Sequence, residues 1–169
     1  NQATLSYNNQ SIPSNVVTGV LTEVLSVSKT AIPAAYQNGD TITYAVQLVN
    51  SGTAALTGLT LTDNLGAYTP AAGTAAVVPM TYQSDTLRYY RNGILQATPT
   101  VAATSPLTVT GLSIPAGGNT TLMYAVKTNQ FTPYGAEESV TNTATVTGGG
   151  LAAPLTAEAT VNADPAPDL

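Results

Sequence analysis

The chain has 169 residues, of which 43% are hydrophobic and 8% charged, with a net charge of −5 and neither cysteine nor histidine. That is enough apolar material for one large or two very small domains with a proper core, while the charged fraction falls far below the about 25% of an ordinary soluble domain. Zinc sites, thiol nucleophiles, disulfides and histidine-based triads are excluded, and so is most enzyme chemistry.

The basic residues are Lys29, Arg88, Arg91 and Lys127, too few and too scattered for nucleic acid or an anionic membrane surface as partner. No run approaches the ~18 apolar residues of a membrane helix, so direct membrane insertion is not expected. About one residue in six is threonine, a β-branched residue that suits a pleated, half-buried surface. Richness in Thr, Ala and Gly with few charges leans towards the bacterial exterior. Opening at Asn1 without methionine, basic run or apolar run fits a mature or excised segment.

Period-2 alternation dominates and no stretch reads as a helix. In chain order, strands are predicted at Thr4–Tyr7, Asn15–Val20, Val24–Thr30, Thr41–Val49 and Gly58–Asp63. They continue at Thr86–Arg91, Leu107–Leu112, Thr120–Lys127, Val140–Thr147 and Leu155–Val161. Turn residues separate them at 38–40, 50–52, 92–93, 115–119 and 148–150. Asn92-Gly93, between Tyr89-Tyr90 and Ile94-Leu95, is the strongest tight-hairpin signal. So many short strands predict an all-β, antiparallel Ig-like β-sandwich, with a barrel as the other possibility.

The two ends resemble each other. NQATLSYNNQSIPSNVVTGVL at the start parallels NTATVTGGGLAAPLTAEATVNA near the end. Residues 1–21 therefore form an additional N-terminal hairpin resembling the last two strands of a sandwich, followed by the sandwich itself over 22–163. The hairpin either extends a sheet of its own chain or completes a neighbouring molecule by strand addition. Asn1, Ala3, Leu5 and Tyr7 are in register, so that Asn1 is either a frayed terminus or an acceptor in such an intermolecular strand. Lys127 is a poor mate for it, since Leu122, Tyr124 and Val126 take the opposite parity. Residues 164–169, DPAPDL, read as the start of a stiff Pro-rich linker to a following domain.

Parity carries the sharpest chemical signal. Lys29 falls on the apolar face of Leu25 and Val27, Asp63 on that of Leu59, Leu61 and Leu65, and Asn142 on that of Val140, Ala144 and Val146. An isolated buried ammonium or carboxylate is costly, and burial pushes both groups towards their neutral forms. A neutral Lys29 is a nucleophilic amine, a protonated Asp63 can donate to a carbonyl and shuttle protons, and Asn142 offers an amide carbon with ammonia as leaving group. Held together in a dry core, they could form a Lys29–Asn142 isopeptide bond with Asp63 as catalytic promoter. Two plainer arrangements stay open: a buried Lys–Asp pair with Asn142 as a hydrogen-bonding bystander, or a lysine whose ammonium snorkels to solvent.

The segments LSVSKTA, NGDTITYAVQLVNSGTAALTGLTLTDNL, LTVTGLSIPAGGNTTLMYAV and VTNTATVTG resemble, in this order, the conserved Ig-like repeat of bacterial and archaeal cell-surface proteins, domain of unknown function eleven. The likeness runs from about Leu25 to Val161. The chain is also similar to the isopeptide-forming domains of Gram-positive pilins and adhesins. There a first-strand Lys, a mid-domain Asp or Glu and a late Asn in an N-x-A strand make the bond, which implies Lys29 in VSKT, Asp63 in LTDNL and Asn142 in TNTATV. The N-terminal hairpin departs from the family pattern. The resemblance implies a structural module of a cell-surface stalk, adhesin or fibre, extracellular and without cofactor. Its expected partners are neighbouring domains of the same polypeptide and, in a fibre, identical subunits.

The other polar residues read more simply. Asp40 and Asn50 are expected in turns, bonding nearby backbone amides. Glu137 and Glu138 are adjacent, whereas glycosidase carboxylates are set around a cleft. The acids are too scattered for calcium, and no metal site is expected. Tyr82, Tyr89, Tyr90 and Tyr134 could stack a glycan, the other ligand class besides a host protein, although Tyr89 and Tyr90 face opposite ways on one strand, which weakens a shared platform.

Overall fold

The computed structural model describes residues 4–7, 10–13 and 24–164. All regular structure in it is β. The strands are β1 (Thr4–Tyr7), β2 (Gln10–Pro13), β3 (Leu25–Ile32), β4 (Ala35–Tyr36), β5 (Thr41–Asn50), β6 (Leu56–Asp63) and β7 (Met80–Tyr82). Then come β8 (Arg88–Arg91), β9 (Ile94–Leu95), β10 (Thr100–Thr104), β11 (Leu107–Ile114), β12 (Asn119–Thr128), β13 (Ser139–Gly148) and β14 (Leu155–Ala163).

Two sheets face each other. One runs β10-β11-β6-β13-β14-β4, the other β3-β5-β12-β8-β9 with β7 also on β12. Every pairing is antiparallel except the two-residue contact of β4 with β14. This is the Ig-like sandwich the alternation predicts, not a barrel.

The reason is in the side chains. Along β5, Ile42, Tyr44, Val46 and Leu48 turn inward while their neighbours stay partly or wholly exposed. The same alternation sends Leu122, Tyr124 and Val126 of β12 inward against Leu59 and Leu61 of β6 and Val140, Ala144 and Val146 of β13. Each fully buried large aliphatic contributes about 1.5–3 kcal/mol relative to exposure, and a one-residue slip would send the whole set to solvent. Lys127 points outward, as its parity requires. Near one edge the sheets are also tied by a hydroxyl: Tyr89 of β8 donates to the Ser113 carbonyl of β11 at 2.9 Å and accepts from the Ser113 N–H at 3.0 Å.

The Asn92-Gly93 hairpin forms as expected. Tyr90 pairs with Leu95 and Arg91 with Ile94. Both turn residues have positive φ, 48° and 77°, the combination a type I′ turn demands.

Several boundaries differ from expectation. β4, β7 and β10 were not predicted: two or three residues carry no readable period, and the outward positions of β10 are Thr and Ala. The strand expected at Asn15–Val20 lies outside the described residues. β1 pairs instead with Gln10–Pro13, Tyr7 opposite Gln10. Among the described residues this hairpin pairs with neither sheet of the sandwich. Asn1 and Ala3 also lie outside the described residues, as do 165–169.

Candidate functional site

Lys29, Asp63 and Asn142 are all buried, at 7%, 0% and 0% exposure. Each reaches the core by the mechanism that buries its apolar neighbours. Lys29 follows Leu25 and Val27 along β3, Asp63 ends the inward series of β6, and Asn142 sits between Val140 and Ala144 on β13.

Asp63 lies directly opposite Ala144 in the β6–β13 ladder. Asn142 is two residues from Ala144 on the same inward face, so the acid and the amide are diagonal neighbours on one sheet. Lys29 comes from the opposing sheet. Its Nζ meets Asp63 Oδ2 at 2.5 Å, and neither side chain has exposed surface. The snorkelling alternative is thereby excluded.

Asp63 accepts from three donors. Oδ2 takes Lys29 Nζ and the hydroxyl of Tyr124, and Oδ1 takes the Leu65 N–H at 2.9 Å. Two tyrosines complete the enclosure. Lys29 Nζ stands 4.5 Å from the ring centroid of Tyr44, within cation–π range, and the Tyr44 and Tyr124 rings lie 6.0 Å apart. Asn142 is the exception in this bonded network. Neither its Nδ2 nor its Oδ1 has a hydrogen-bond partner. Its amide nonetheless lies close enough to the Tyr44 hydroxyl to act on that group's ionisation. A buried amide without partners is costly and calls for an explanation.

Electrostatics follow from burial. Desolvation pushes the Lys29 ammonium below its ordinary value, opposed by the charge and hydrogen bond of Asp63 and by the more distant Glu158. Desolvation pushes the Tyr44 phenol up, opposed by the Asn142 amide. Tyr124 is raised too, through burial first and then the Asp63 charge.

The sequence reading missed Asn64. At the end of β6 its N–H donates to the Thr143 carbonyl at 3.0 Å, and its Oδ1 accepts the Thr143 N–H at 2.9 Å and the Gly66 N–H at 2.9 Å. The residue next to Asn142 is thus pinned to the residue next to Asp63. Leu65 and Gly66 follow with φ of 55° and 74°, and a Cβ on Gly66 would stand 2.3 Å from Val140 Cγ1. The TDNLG segment carried the signal, as consecutive Asx residues before a glycine.

The remaining candidates separate. Asp40 Oδ2 accepts the Gln37 N–H at 2.8 Å, and Asn50 Oδ1 accepts that of Gly52 at 2.9 Å, both turn roles as expected. Glu137 and Glu138 are exposed. The four tyrosines do not form a stacking surface, because Tyr82 and Tyr89 are buried at 8% and 6% exposure and belong to the core. A position on an inward face outweighs a polar tip that can be bonded within the fold.

The chain thus has the sandwich fold found in pilin and adhesin domains. It resembles the pilus backbone protein of Streptococcus pneumoniae, with a TM-score of 0.57 and 10% identity, over 73% of this chain and 31% of that one. The major pilin subunit of Bacillus cereus matches with a TM-score of 0.55 and 14% identity, over 98% and 48%. The N-terminal domain of a Streptococcus gordonii adhesin gives 0.56 and 13%, over 81% and 32%. The chain spans less than half the length of each. No protein-family model matches the sequence, and no curated protein does.

Proposed function

We propose that this chain is a structural module of an extracellular stalk, adhesin or fibre on a bacterial surface, held closed by an autocatalytic isopeptide bond between Lys29 and Asn142. One observation carries the reading: a wholly buried Lys29–Asp63 pair shares the core with an amide that has no partner. The pilin-like fold and the surface-repeat resemblance support the setting.

The chemistry balances without a co-reactant. A proton passes from Lys29 Nζ to Asp63 Oδ2, leaving a neutral amine and a carboxylic acid. Nζ attacks Cγ of Asn142 while Asp63 donates to Oδ1, where negative charge develops. The intermediate collapses as Asp63 recovers its proton, one Nζ hydrogen moves to Nδ2, and ammonia leaves. Proximity replaces a bimolecular encounter, and the aromatic walls keep water out. Intact-mass spectrometry of the folded protein tests it. A deficit of one ammonia relative to the sequence is expected, and an unchanged mass rejects the bond.

A second reading concerns assembly. β1 and β2 pair only with each other among the described residues, and an isolated two-stranded hairpin is marginal in water. In this reading the hairpin adds to a sheet edge of an identical subunit, building a filament. Size-exclusion chromatography and negative-stain microscopy with and without residues 1–21 decide it. A monodisperse monomer from both proteins at high concentration rejects assembly.

A further inference from the structure

Crosslinking as described requires the Lys29–Asp63 pair to pass from ammonium and carboxylate to amine and acid. The groups facing the pair are Tyr44 from β5, Tyr124 from β12 and Asn142 from β13, with Glu158 of β14 the further charge acting on Lys29. Most of them favour the charged form. The Tyr44 ring faces a cation, the Leu65 N–H donates to Oδ1, and the Tyr124 hydroxyl donates to the same Oδ2 that must receive the lysine proton. The Leu65 N–H is backbone and the Tyr44 ring is also a wall of the site. Tyr124 alone contributes through a removable hydroxyl on the accepting oxygen.

We propose that Tyr124 is a positioning residue that restrains the crosslinking step, its hydroxyl holding Asp63 as a carboxylate and Lys29 as an ammonium. The inference rests on the crosslink reading. A donor to a carboxylate bonds more weakly to the corresponding acid, so Tyr124 lowers the starting state more than the reactive one. The consequence is an order of events: the sheets close around a satisfied ion pair first, and the bond follows more slowly. Tyr124→Phe keeps the ring that packs against Tyr44 and Tyr82, with centroids 6.0 and 6.5 Å away, and removes only the donor.

The test is a time course of ammonia loss in full-length protein made by cell-free translation, quenched in acid and read by intact mass. Tyr124→Phe is expected to crosslink faster than wild type by roughly tenfold, the scale of a lost hydrogen bond to a charged group. Site-specific 3-fluorotyrosine at 124, a stronger donor of nearly the same shape, is expected to crosslink more slowly and keeps the test decisive should the Phe variant fail to fold. A purely structural role for the hydroxyl predicts slower or equal crosslinking in Tyr124→Phe, and either result overturns the proposal. Equal rates for fluorotyrosine and tyrosine also overturn it. If no protein, wild type included, ever loses ammonia, the crosslink reading fails and this inference with it. A crosslinked wild type with unaltered variants defeats the Tyr124 role alone.

Discussion

Lys29 Nζ on β3 of one sheet lies 2.5 Å from Asp63 Oδ2 on β6 of the other, and neither side chain has exposed surface. The contact joins the two halves of the sandwich through their interior. It places a potential nucleophile and its proton acceptor beside a buried amide on the neighbouring strand β13.

Replacing the amide isolates the covalent contribution. Asn142→Ala leaves the Lys29–Asp63 pair intact and removes the electrophile. It should show the full sequence mass, where wild type lacks one ammonia. A bond closing a loop of more than about a hundred residues stabilises by about 4–5 kcal/mol on the chain-entropy account of crosslinks. The variant should therefore melt roughly 10–20 °C below wild type in scanning calorimetry. Equal masses and equal melting temperatures would remove the covalent tie.

The ion pair itself is testable in the Asn142→Ala background, where no bond can form. Removing one partner strands the other charge in the core. Lys29→Met should cost about 3–5 kcal/mol in urea unfolding, while Lys29→Met with Asp63→Leu should recover most of the loss. If the double variant is no better than the single one, the penalty does not come from a stranded carboxylate.

The sandwich and the three buried polar residues were legible in the sequence because both rest on a period of two. Alternation along β3, β6 and β13 assigns Lys29, Asp63 and Asn142 inward as firmly as it does Leu61 or Val146. What alternation cannot give is how strands lie against one another. β4 and β9 are two residues long, and β7 is three. Their place depends on hydrogen bonds to β14, β8 and β12 rather than on any pattern of their own. The aromatic enclosure was hidden for the same reason. Tyr44 and Tyr124 are directly opposite residues of β5 and β12, and Tyr44 is a diagonal neighbour of Lys29, which faces Val46 across the β3–β5 ladder, but only the stacking of the second sheet brings the Tyr124 hydroxyl to Asp63. The tyrosine platform fails for the reason parity already gives for Tyr89 and Tyr90, which face opposite ways along β8, and because Tyr82 too turns into the core.

Alkaline pH distinguishes an amine from an amide at position 29. In Asn142→Ala the folded-state Lys29 value is lowered below the unfolded 10.5. The unfolded chain therefore binds more protons between those two values, and stability rises with pH across that window, by up to about 1.4 kcal/mol per unit. Tyr44 and Tyr124 act with opposite sign, since their folded values are raised above 10.0. Their contribution is complete below pH 10.0 and is lost as pH climbs beyond it. Melting temperature should thus rise into the alkaline range and then fall in Asn142→Ala. Crosslinked wild type, whose Lys29 nitrogen is an amide, should show only the fall. Matching profiles would mean that Lys29 is the same species in both proteins.

Asn64 should tune the crosslink by holding its strand. Its side chain accepts the N–H groups of Gly66 and Thr143, and its own N–H meets the Thr143 carbonyl. Asn64→Ala leaves two backbone donors without their acceptor, a loss of about 1–3 kcal/mol if water cannot replace it. It also removes one of the two hydrogen bonds that attach Thr143, adjacent to Asn142, beside Asp63, while the backbone N–H at 64 keeps the other. Ammonia loss should then slow, because the amide carbon is held less firmly in reach of Nζ. Tyr89→Phe supplies the control: it removes a hydroxyl that ties β8 to Ser113 far along the fold from Asn142, and costs about 0.5–1.5 kcal/mol by the same reasoning. Crosslinking should proceed at the wild-type rate in Tyr89→Phe and more slowly in Asn64→Ala. If both variants slow in proportion to their lost stability, Asn64 acts through the fold as a whole and not through the position of Asn142.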